Sequence, residues 1–257
     1  YIRLRLFVNP KSELGYSQRD GYCDLAHTLA MAKRIKAAGM KFLLDFHYSD
    51  NWADPAKQIM PQAWQTLSYE EVCDEVYKHT KSTLEALVEQ GTAPDMVQVG
   101  NEISNGMLWP YGSVRHSFEG SCPLVKEGVR AVREVTPEAA VMLHIALGGQ
   151  SEESRRFLDA MAEYGVEYDV IGQSYYPEWH GTLQELESNL QAMALRYAKP
   201  LIVVEYRDHY LAIDRIVRSL PDGLGRGTFI WEATSPQWGK LFDETGSATA
   251  ALDDYNK

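Results

Sequence analysis

The chain has 257 residues, with 25 Lys and Arg against 36 Asp and Glu, and a formal net charge of −11. Hydrophobic residues make up 45% of it, an ordinary globular composition that disfavours disorder. The negative charge argues against nucleic acids and anionic membranes as partners, because both require a basic surface. No apolar run approaches the ~20 residues that span a bilayer.

Short β-rich runs alternate with longer helical patterns along the chain. The predicted strands are residues 2–8, 41–47, 96–100, 141–146, 168–174, 200–205 and 228–231. The predicted helices are residues 24–38, 69–90, 123–135, 152–164, 183–198 and 212–220. Ser68 precedes two glutamates and is a helix-start signal. This alternation predicts parallel strands joined by right-handed crossovers in one α/β domain over residues 1–257.

Two architectures fit such alternation: a doubly wound open sheet and a (β/α)8 barrel. No glycine-rich phosphate loop follows the first strand, which weakens the nucleotide-binding open sheets. Unusual polar and aromatic residues follow the ends of several strands, and a barrel gathers those ends around one site. We therefore predict a barrel. Only seven strands are present in the pattern, so we expect the first strand–helix unit to belong to the protein but to precede this sequence.

Two glutamates end apolar strands, Glu102 after residues 96–100 and Glu205 after residues 200–204. In a barrel their side chains would face each other across the mouth, as glycosidic bond cleavage requires. One carboxyl group would be the proton donor and the other the ionised nucleophile. A single such Glu would more simply cap a helix or pair with an Arg, but the pair favours catalysis.

Residues near these glutamates support the same interpretation. Asn101 could hydrogen-bond a sugar 2-hydroxyl, although Asn is also a common turn residue. Arg3 and Arg5 lie in an apolar strand, where an unpaired cation is costly, and alternation places both on the same face. Arg5 beside Glu205 would keep that carboxylate ionised.

Three long motifs resemble glycoside hydrolase family 53, the arabinogalactan endo-β-1,4-galactanases. They are DFHYSDNWADPAKQ at residues 45–58, VGNEISNGMLWP at 99–110 and IGQSYYPEWHGT at 171–182. RLRLFVNP at residues 3–10 is similar to the family's second strand, and WEA follows at 231–233. The resemblance covers nearly the whole chain.

The resemblance implies a (β/α)8 barrel and a retaining mechanism, with Glu102 as general acid/base and Glu205 as nucleophile. A retaining pair has its carboxyl groups about 5–5.5 Å apart. The subsite for the attacked sugar would be lined by Arg5, His47, Asn101 and Trp231. Its surroundings would be shaped by Asp45, Asp50, Trp52, Tyr175 and Tyr176. Asp45 and Asp50 could instead be turn or cap residues, and Trp52 could pack the base of a loop. Because Tyr175 and Tyr176 alternate, we expect one of them to meet substrate.

The sequence departs from the family after Glu205, where Arg207 could act on the nucleophile or reach a substrate subsite. Bacterial relatives hold calcium in longer loops of this region, and we predict neither calcium nor another cofactor here.

The three cysteines contain no CxxC pair, which argues against zinc and leaves open one disulfide with one thiol, or three buried thiols. His116, His180 and His209 are interpreted as surface or loop residues.

The predicted partner is a polysaccharide or oligosaccharide, bound by a monomer without nucleic acid or membrane. A polymeric plant-wall substrate implies a secreted or cell-envelope enzyme, although an intracellular enzyme acting on imported oligosaccharides fits as well. Alternative functions are a β-mannan or β-glucan hydrolase with the same catalytic pair, and a carbohydrate-binding barrel without turnover.

Overall fold

The structure is a computed structural model that describes residues 1–255. Its elements in chain order are β1 (Ile2–Leu6), α1 (Leu25–Ala37), β2 (Phe42–Phe46), α2 (Tyr69–Glu89), β3 (Met96–Val99), β4 (Gly106–Met107), β5 (Gly112–Ser113), α3 (Ser121–Val135), β6 (Ala140–Ile145), α4 (Ser151–Glu163), β7 (Val170–Ser174), α5 (Pro177–His180), α6 (Leu183–Tyr197), β8 (Leu201–Glu205), α7 (Tyr210–Arg218), β9 (Gly225–Thr228) and α8 (Ala250–Tyr255).

The chain divides into two compact units. The first contains Tyr1–His144 and Leu158–Asp169, and the second contains Ile145–Phe157 and the described residues from Val170 onward. The single domain predicted for residues 1–257 stays a prediction. Among the described helices, none has the length and hydropathy needed to cross a membrane.

In the first unit, β1, β2, β3 and β6 pair side by side in that order, all parallel. The register aligns Arg5 with Asp45 and Asp45 with Gln98, so these three side chains form one row across the strands. Every residue of β2 and β3 is buried, as expected for parallel strands with both faces covered. The row therefore places polar groups inside an apolar environment.

Helix α2 begins at Tyr69 as predicted, whereas α1 begins at Leu25, one residue later than predicted, and α3 begins at Ser121, two residues earlier. Ser68 and Glu71 form a reciprocal capping box at the start of α2. Asp24 caps α1 by accepting a hydrogen bond from the backbone N–H of His27. The apolar face of α2 buries Val72, Val76 and Leu84. The short antiparallel pair of β4 and β5 follows Glu102 and was not predicted.

In the second unit, β7, β8 and β9 are parallel and adjacent in that order. A register shift at Gln173 and Ser174 brings Ser174 opposite Glu205 at the ends of β7 and β8. The last strand lies at an earlier position in the chain than predicted. β9 covers Gly225–Thr228 instead of residues 228–231, so Trp231 lies three residues beyond the strand end. The Gly-Arg-Gly-Thr composition of β9 lacks the apolar run on which the prediction relied.

The three cysteines are all thiols within the described chain. Cys122 is buried, whereas Cys23 and Cys73 are partly exposed. This outcome excludes the disulfide that the sequence left open. It also corrects the alternative of three buried thiols, because only one of the three thiols is buried. Burial raises the pKa of the Cys122 thiol to about 11, so it stays protonated at neutral pH.

Candidate active site

Gln98 is the centre of a buried polar network in the first unit. Its Nε2 lies 2.5 Å from Oδ1 of Asp45, and 3.1 Å from both Oδ1 of Asn101 and Nδ1 of His144. Its Oε1 accepts a hydrogen bond of 3.2 Å from Nε of Arg3. We call these five residues the Gln98 network. They join the ends of four neighbouring strands into one array.

Arg3 supplies the positive charge of the Gln98 network. Its guanidinium lies 2.9 Å from Oδ2 of Asp45 and donates a hydrogen bond of 2.7 Å to Oδ1 of Asn101. The sequence identified Arg3 as a costly cation, and Asp45 is its counterion. The Asp45 side chain is 1% exposed, so the carboxylate and the guanidinium compensate each other inside the protein.

The contacts of Asn101 fix the orientation of its side-chain amide. Its Oδ1 accepts from Arg3, while its Nδ2 donates a hydrogen bond of 2.8 Å to the backbone carbonyl of Ala53. With the oxygen held on the cation, the amide N–H groups point to the loop that follows β2. One N–H is used on Ala53, and the second has the donor chemistry that a sugar hydroxyl would need.

His144, at the end of β6, meets three polar groups through one ring nitrogen. Its Nδ1 accepts the backbone N–H of Glu102 at 3.3 Å, and it also lies 3.1 Å from Nε2 of Gln98 and 3.0 Å from Oδ1 of Asn101. The imidazole thus supports the backbone at Glu102 directly.

Glu102 is buried and adopts a left-handed backbone conformation, with φ of 48° and ψ of 48°. This conformation costs free energy for any residue with a Cβ and is concentrated at functional sites. The side chain of Gln58 donates to the carbonyl of Asn101 at 2.9 Å, and His144 accepts the N–H of Glu102. Contacts on both sides of the peptide chain therefore stabilise the strained turn.

Arg5 and Trp52 form a cation–aromatic pair in the first unit. The guanidinium carbon of Arg5 lies 4.3 Å from the centroid of the Trp52 ring and 5.6 Å from that of Tyr16. Phe7 and His47 contact Trp52 edge-on. Trp52 therefore packs the base of its loop, which is one of the two roles that the sequence left open, and it also holds Arg5.

His47 and Asp45 adjoin each other where β2 ends. Nε2 of His47 lies 3.2 Å from Oδ2 of Asp45, at ion-pair distance but outside hydrogen-bond geometry. Nδ1 of His47 accepts the backbone N–H of Ala53 at 3.1 Å. Both predicted residues are fully buried, so they orient the loop and its neighbours instead of forming an open surface.

Asp50 organises two loops through its carboxylate. One oxygen accepts the backbone N–H of Asn9 at 2.9 Å, and the other accepts that of Gln62 at 3.0 Å. The side chain is buried. Of the two roles that the sequence left open, this geometry favours the turn or cap role.

Glu205 is the buried last residue of β8 in the second unit. The hydroxyl of Tyr176 donates a hydrogen bond of 3.3 Å to its Oε2. Tyr175 is instead packed inside the unit, with its hydroxyl donating to the carbonyl of Gly181 at 2.9 Å. Of the two adjacent tyrosines, Tyr176 is the one that reaches a candidate catalytic group.

His180 positions Tyr176, which corrects its assignment as a surface or loop residue. Its Nδ1 accepts the backbone N–H of Tyr176 at 3.0 Å, and the side chain is only 7% exposed. Burial lowers the pKa of His180 to about 4, despite an opposing hydrogen bond with the backbone of Ala146. The ring is neutral at pH 7 and can therefore act as the acceptor. His116 and His209 are exposed, as predicted.

Arg207 and Trp231 both follow strands of the second unit. Arg207 forms ion pairs with Glu178 and Asp208, and its guanidinium carbon is 5.7 Å from the centroid of Trp238. The backbone N–H of Trp231 donates to the carbonyl of Tyr206 at 2.8 Å, which anchors the loop after β9. The Trp231 side chain is partly exposed.

The sequence interpretation missed Gln98, His144, Gln58 and His180. Gln98 and His144 carried a signal, because an amide and an imidazole within short apolar strands need buried partners. Gln58 lies on a loop and His180 ends the four-residue helix α5, and nothing in their local sequence indicates which backbone groups they bind.

The chain is similar to known proteins over nearly its whole length. The family model described as Glycosyl hydrolase family 53 matches residues 1–217. The Bacillus subtilis Endo-beta-1,4-galactanase is 37% identical over 98% of this chain, which spans 56% of that protein. An uncharacterized protein of Niallia circulans is 43% identical over 92% of this chain, which spans 73% of its length.

A solved structure, the Ignisphaera aggregans GH53 catalytic domain, has a TM-score of 0.91 with 32% identity, covering 99% of this chain and 84% of that one. This similarity confirms the predicted α/β class and the (β/α)8 barrel type. Glu102 and Glu205 both lie within the residues that the family model matches, and Glu102 also lies within the motif at residues 99–110. The chain belongs to glycosyl hydrolase family 53.

Proposed function

We propose that this protein is a retaining endo-β-1,4-galactanase that cleaves galactan and the galactan backbone of arabinogalactan side chains. The observation that carries the proposal is the similarity to the B. subtilis galactanase over 98% of the chain, with Glu102 and Glu205 both present. The curated relatives favour galactan over the mannan and glucan alternatives. Both glutamates and the polar groups around them favour an enzyme over a binding barrel.

In the proposed mechanism, Glu102 donates its proton to the glycosidic oxygen while a carboxylate oxygen of Glu205 attacks the anomeric carbon. The bond to the leaving sugar breaks and a covalent galactosyl-enzyme forms. Glu102, now ionised, takes a proton from water, whose oxygen displaces Glu205 from the anomeric carbon. The product keeps its configuration, Glu102 regains its proton and Glu205 regains its charge.

The residues around the glutamates have defined roles in this proposal. Tyr176 orients the attacking carboxylate, because its hydroxyl donates to Oε2 of Glu205. His144 and Gln58 hold the strained backbone that presents Glu102. Asn101 offers its remaining amide N–H to the hydroxyl next to the reacting carbon, an interaction that strengthens in the transition state. No step requires a metal or an organic cofactor.

Azide rescue distinguishes the two glutamates. Glu205→Gly should lose turnover. Azide should then restore cleavage of an aryl β-galactoside without any activated α-linked donor. The product should be α-galactosyl azide, because azide displaces the aryl group in one direct step. Glu102→Ala should give β-galactosyl azide, because azide attacks the covalent intermediate. Glu89→Ala changes an exposed helix residue and is the matched control. Activity on β-1,4-galactan that survived Glu205→Gly would refute the nucleophile assignment.

Substrate class is tested with the unmodified chain on β-1,4-galactan, β-mannan and β-glucan. We expect reducing ends to be released from galactan alone, with the β-anomer formed first. Release from mannan or glucan at a higher rate would overturn the galactanase proposal.

The proposal also includes action as a monomer and export to the cell exterior. The first is tested by the molecular mass in solution, and the second by fractionation of the producing cells.

A further inference from the structure

A groove of about 460 Å³ lies in the first unit, beside the segment that follows Glu102. Residues 56–60 and Gln65 form one wall, and Trp109, Pro110 and Tyr111 form the other. We call it the Trp109 groove. Its volume is in the range typical of small-molecule sites, and no role has been assigned to its aromatic residues in the proposed mechanism.

The Trp109 groove is attached to the backbone of the proposed acid. The Gln58 side chain donates to the carbonyl of Asn101 at 2.9 Å, and the Gln58 carbonyl accepts the backbone N–H of Trp109 at 2.8 Å. The indole N–H of Trp109 donates to the carbonyl of Asn105 at 3.0 Å. Gln58 therefore belongs both to the groove and to the support of Glu102.

The lining of the groove matches a neutral ligand with an apolar face and several hydroxyls. Trp109 and Tyr111 provide aromatic surface, and Ile59 is 48% exposed. Gln65 provides amide donors and acceptors. No carboxylate lines the groove among the described residues, and the charge of Lys57 is offset by Asp54 at 3.6 Å. A pyranose ring, which stacks by its C–H face and binds through its hydroxyls, has this chemistry.

We infer that the Trp109 groove binds the leaving-group side of the galactan chain, that is, the galactosyl residues on the reducing-end side of the cleaved bond. This inference rests on the proposed function. The acid must protonate the oxygen of the leaving sugar, so that sugar adjoins the segment that carries Glu102. The groove is built from the continuation of this segment and from the loop that Gln58 joins to it.

The test compares two substrates that differ only on the leaving side. Galactopentaose labelled with ¹⁸O at its reducing end needs sugar binding on both sides of the cleaved bond. β-Galactobiosyl fluoride carries no leaving sugar and needs no acid for departure of fluoride. Trp109→Ala should lower kcat/KM for galactopentaose about tenfold and leave that for the fluoride within about twofold. The cleaved bond should move toward the labelled end, because binding then relies on the other side.

Ile59→Asp is the second variant, chosen because a half-exposed side chain is replaced without opening the core. It should have the same effect on galactopentaose with an unchanged Tm. Leu195→Ala, at a 76% exposed position on α6, is the control and should alter neither substrate. If both variants leave the pentaose rate and cleavage pattern unchanged, or lower both rates equally, the inference is overturned.

Failure of the proposed function has a different signature. An unmodified chain that hydrolyses neither the pentaose nor the fluoride refutes the galactanase proposal, and the inference falls with it. In another outcome, the unmodified chain cleaves both substrates but the variants shift cleavage away from the labelled end. The galactanase proposal then stands. That result would place the other end of the chain in the groove and refute only the present inference.

Discussion

The hydroxyl of Tyr176 lies 3.3 Å from Oε2 of Glu205, at the ends of two neighbouring parallel strands. His180 holds the backbone N–H of Tyr176, so the phenol is anchored at both its backbone and its hydroxyl. A hydrogen bond to a carboxylate is stronger than one between neutral groups. The pair therefore links a positioned donor to the residue that we propose as nucleophile.

Tyr176→Phe removes this donor without removing the ring. We expect kcat on galactan to fall by about 10- to 100-fold, the equivalent of one hydrogen bond to a charged group, with little change in KM. Steady-state kinetics on galactan test the prediction. Tyr175→Phe is the matched control, because its hydroxyl binds a backbone carbonyl: it should lower Tm and leave kcat almost unchanged. Equal kinetic effects of the two variants would contradict the assignment.

Gln98→Leu removes one polar partner from each of three buried groups, and each of them keeps another. Asp45, Asn101 and His144 all face the Nε2 of Gln98, and unsatisfied buried polar groups are costly. We expect the free energy of unfolding to fall by about 2–4 kcal/mol, measured by urea denaturation, and kcat to fall as well because Asn101 loses one of the contacts that hold its side chain. Gln191→Leu, on the exposed face of α6, is the control and should change neither quantity. Unchanged stability of Gln98→Leu would show that the network is not cooperative.

His79 makes the stability of the fold depend on pH. Its partly buried ring packs edge-on against Phe46, Tyr48 and Trp64, and desolvation lowers its pKa from 6.5 to about 4. Below pH 6.5 the unfolded chain binds a proton that the folded chain refuses. Stability therefore falls as the pH drops from about 6.5 to about 4, by roughly 3 kcal/mol from this residue, and is fully retained above pH 6.5.

Chemical denaturation of the unmodified chain and of His79→Phe between pH 7 and pH 4 measures this contribution. The variant keeps the ring and removes the titration, so its loss of stability on acidification should be smaller. His116→Asn, at an exposed position, should behave like the unmodified chain. A pH dependence that His79→Phe does not reduce would exclude His79 as its source.

Asp50→Ala removes the acceptor for two backbone N–H groups, those of Asn9 and Gln62. We expect a loss of about 2–3 kcal/mol in the free energy of unfolding, because both donors become unsatisfied in a buried place. Asp74→Ala, an exposed substitution on α2, is the control for the loss of charge. If Asp50→Ala retained full stability and lost only galactan binding, Asp50 would be a substrate ligand instead of a loop organiser.

The order of strands and helices followed from the sequence because hydrophobic periodicity is a local property. The cap at Ser68, the buried strand β2 and the position of Glu205 at the end of β8 were all predicted. β9 was displaced because its Gly-Arg-Gly-Thr sequence is held by pairing with β8 and by packing on α7 and not by an apolar run. Local patterns do not report such pairing.

For the candidate site, too, the sequence predicted one part and the tertiary structure decided the other. The sequence determined which residue types could do the chemistry, since carboxylates at the ends of apolar strands are conspicuous along the chain. Only the tertiary structure decided which partners these residues have. It joined Arg3 to Asp45 across two strands, and Gln98 to His144, 46 positions apart. It also separated Tyr176, bound to Glu205, from the buried Tyr175. Hydrogen bonds of this kind depend on distance in space, which sequence spacing alone does not specify.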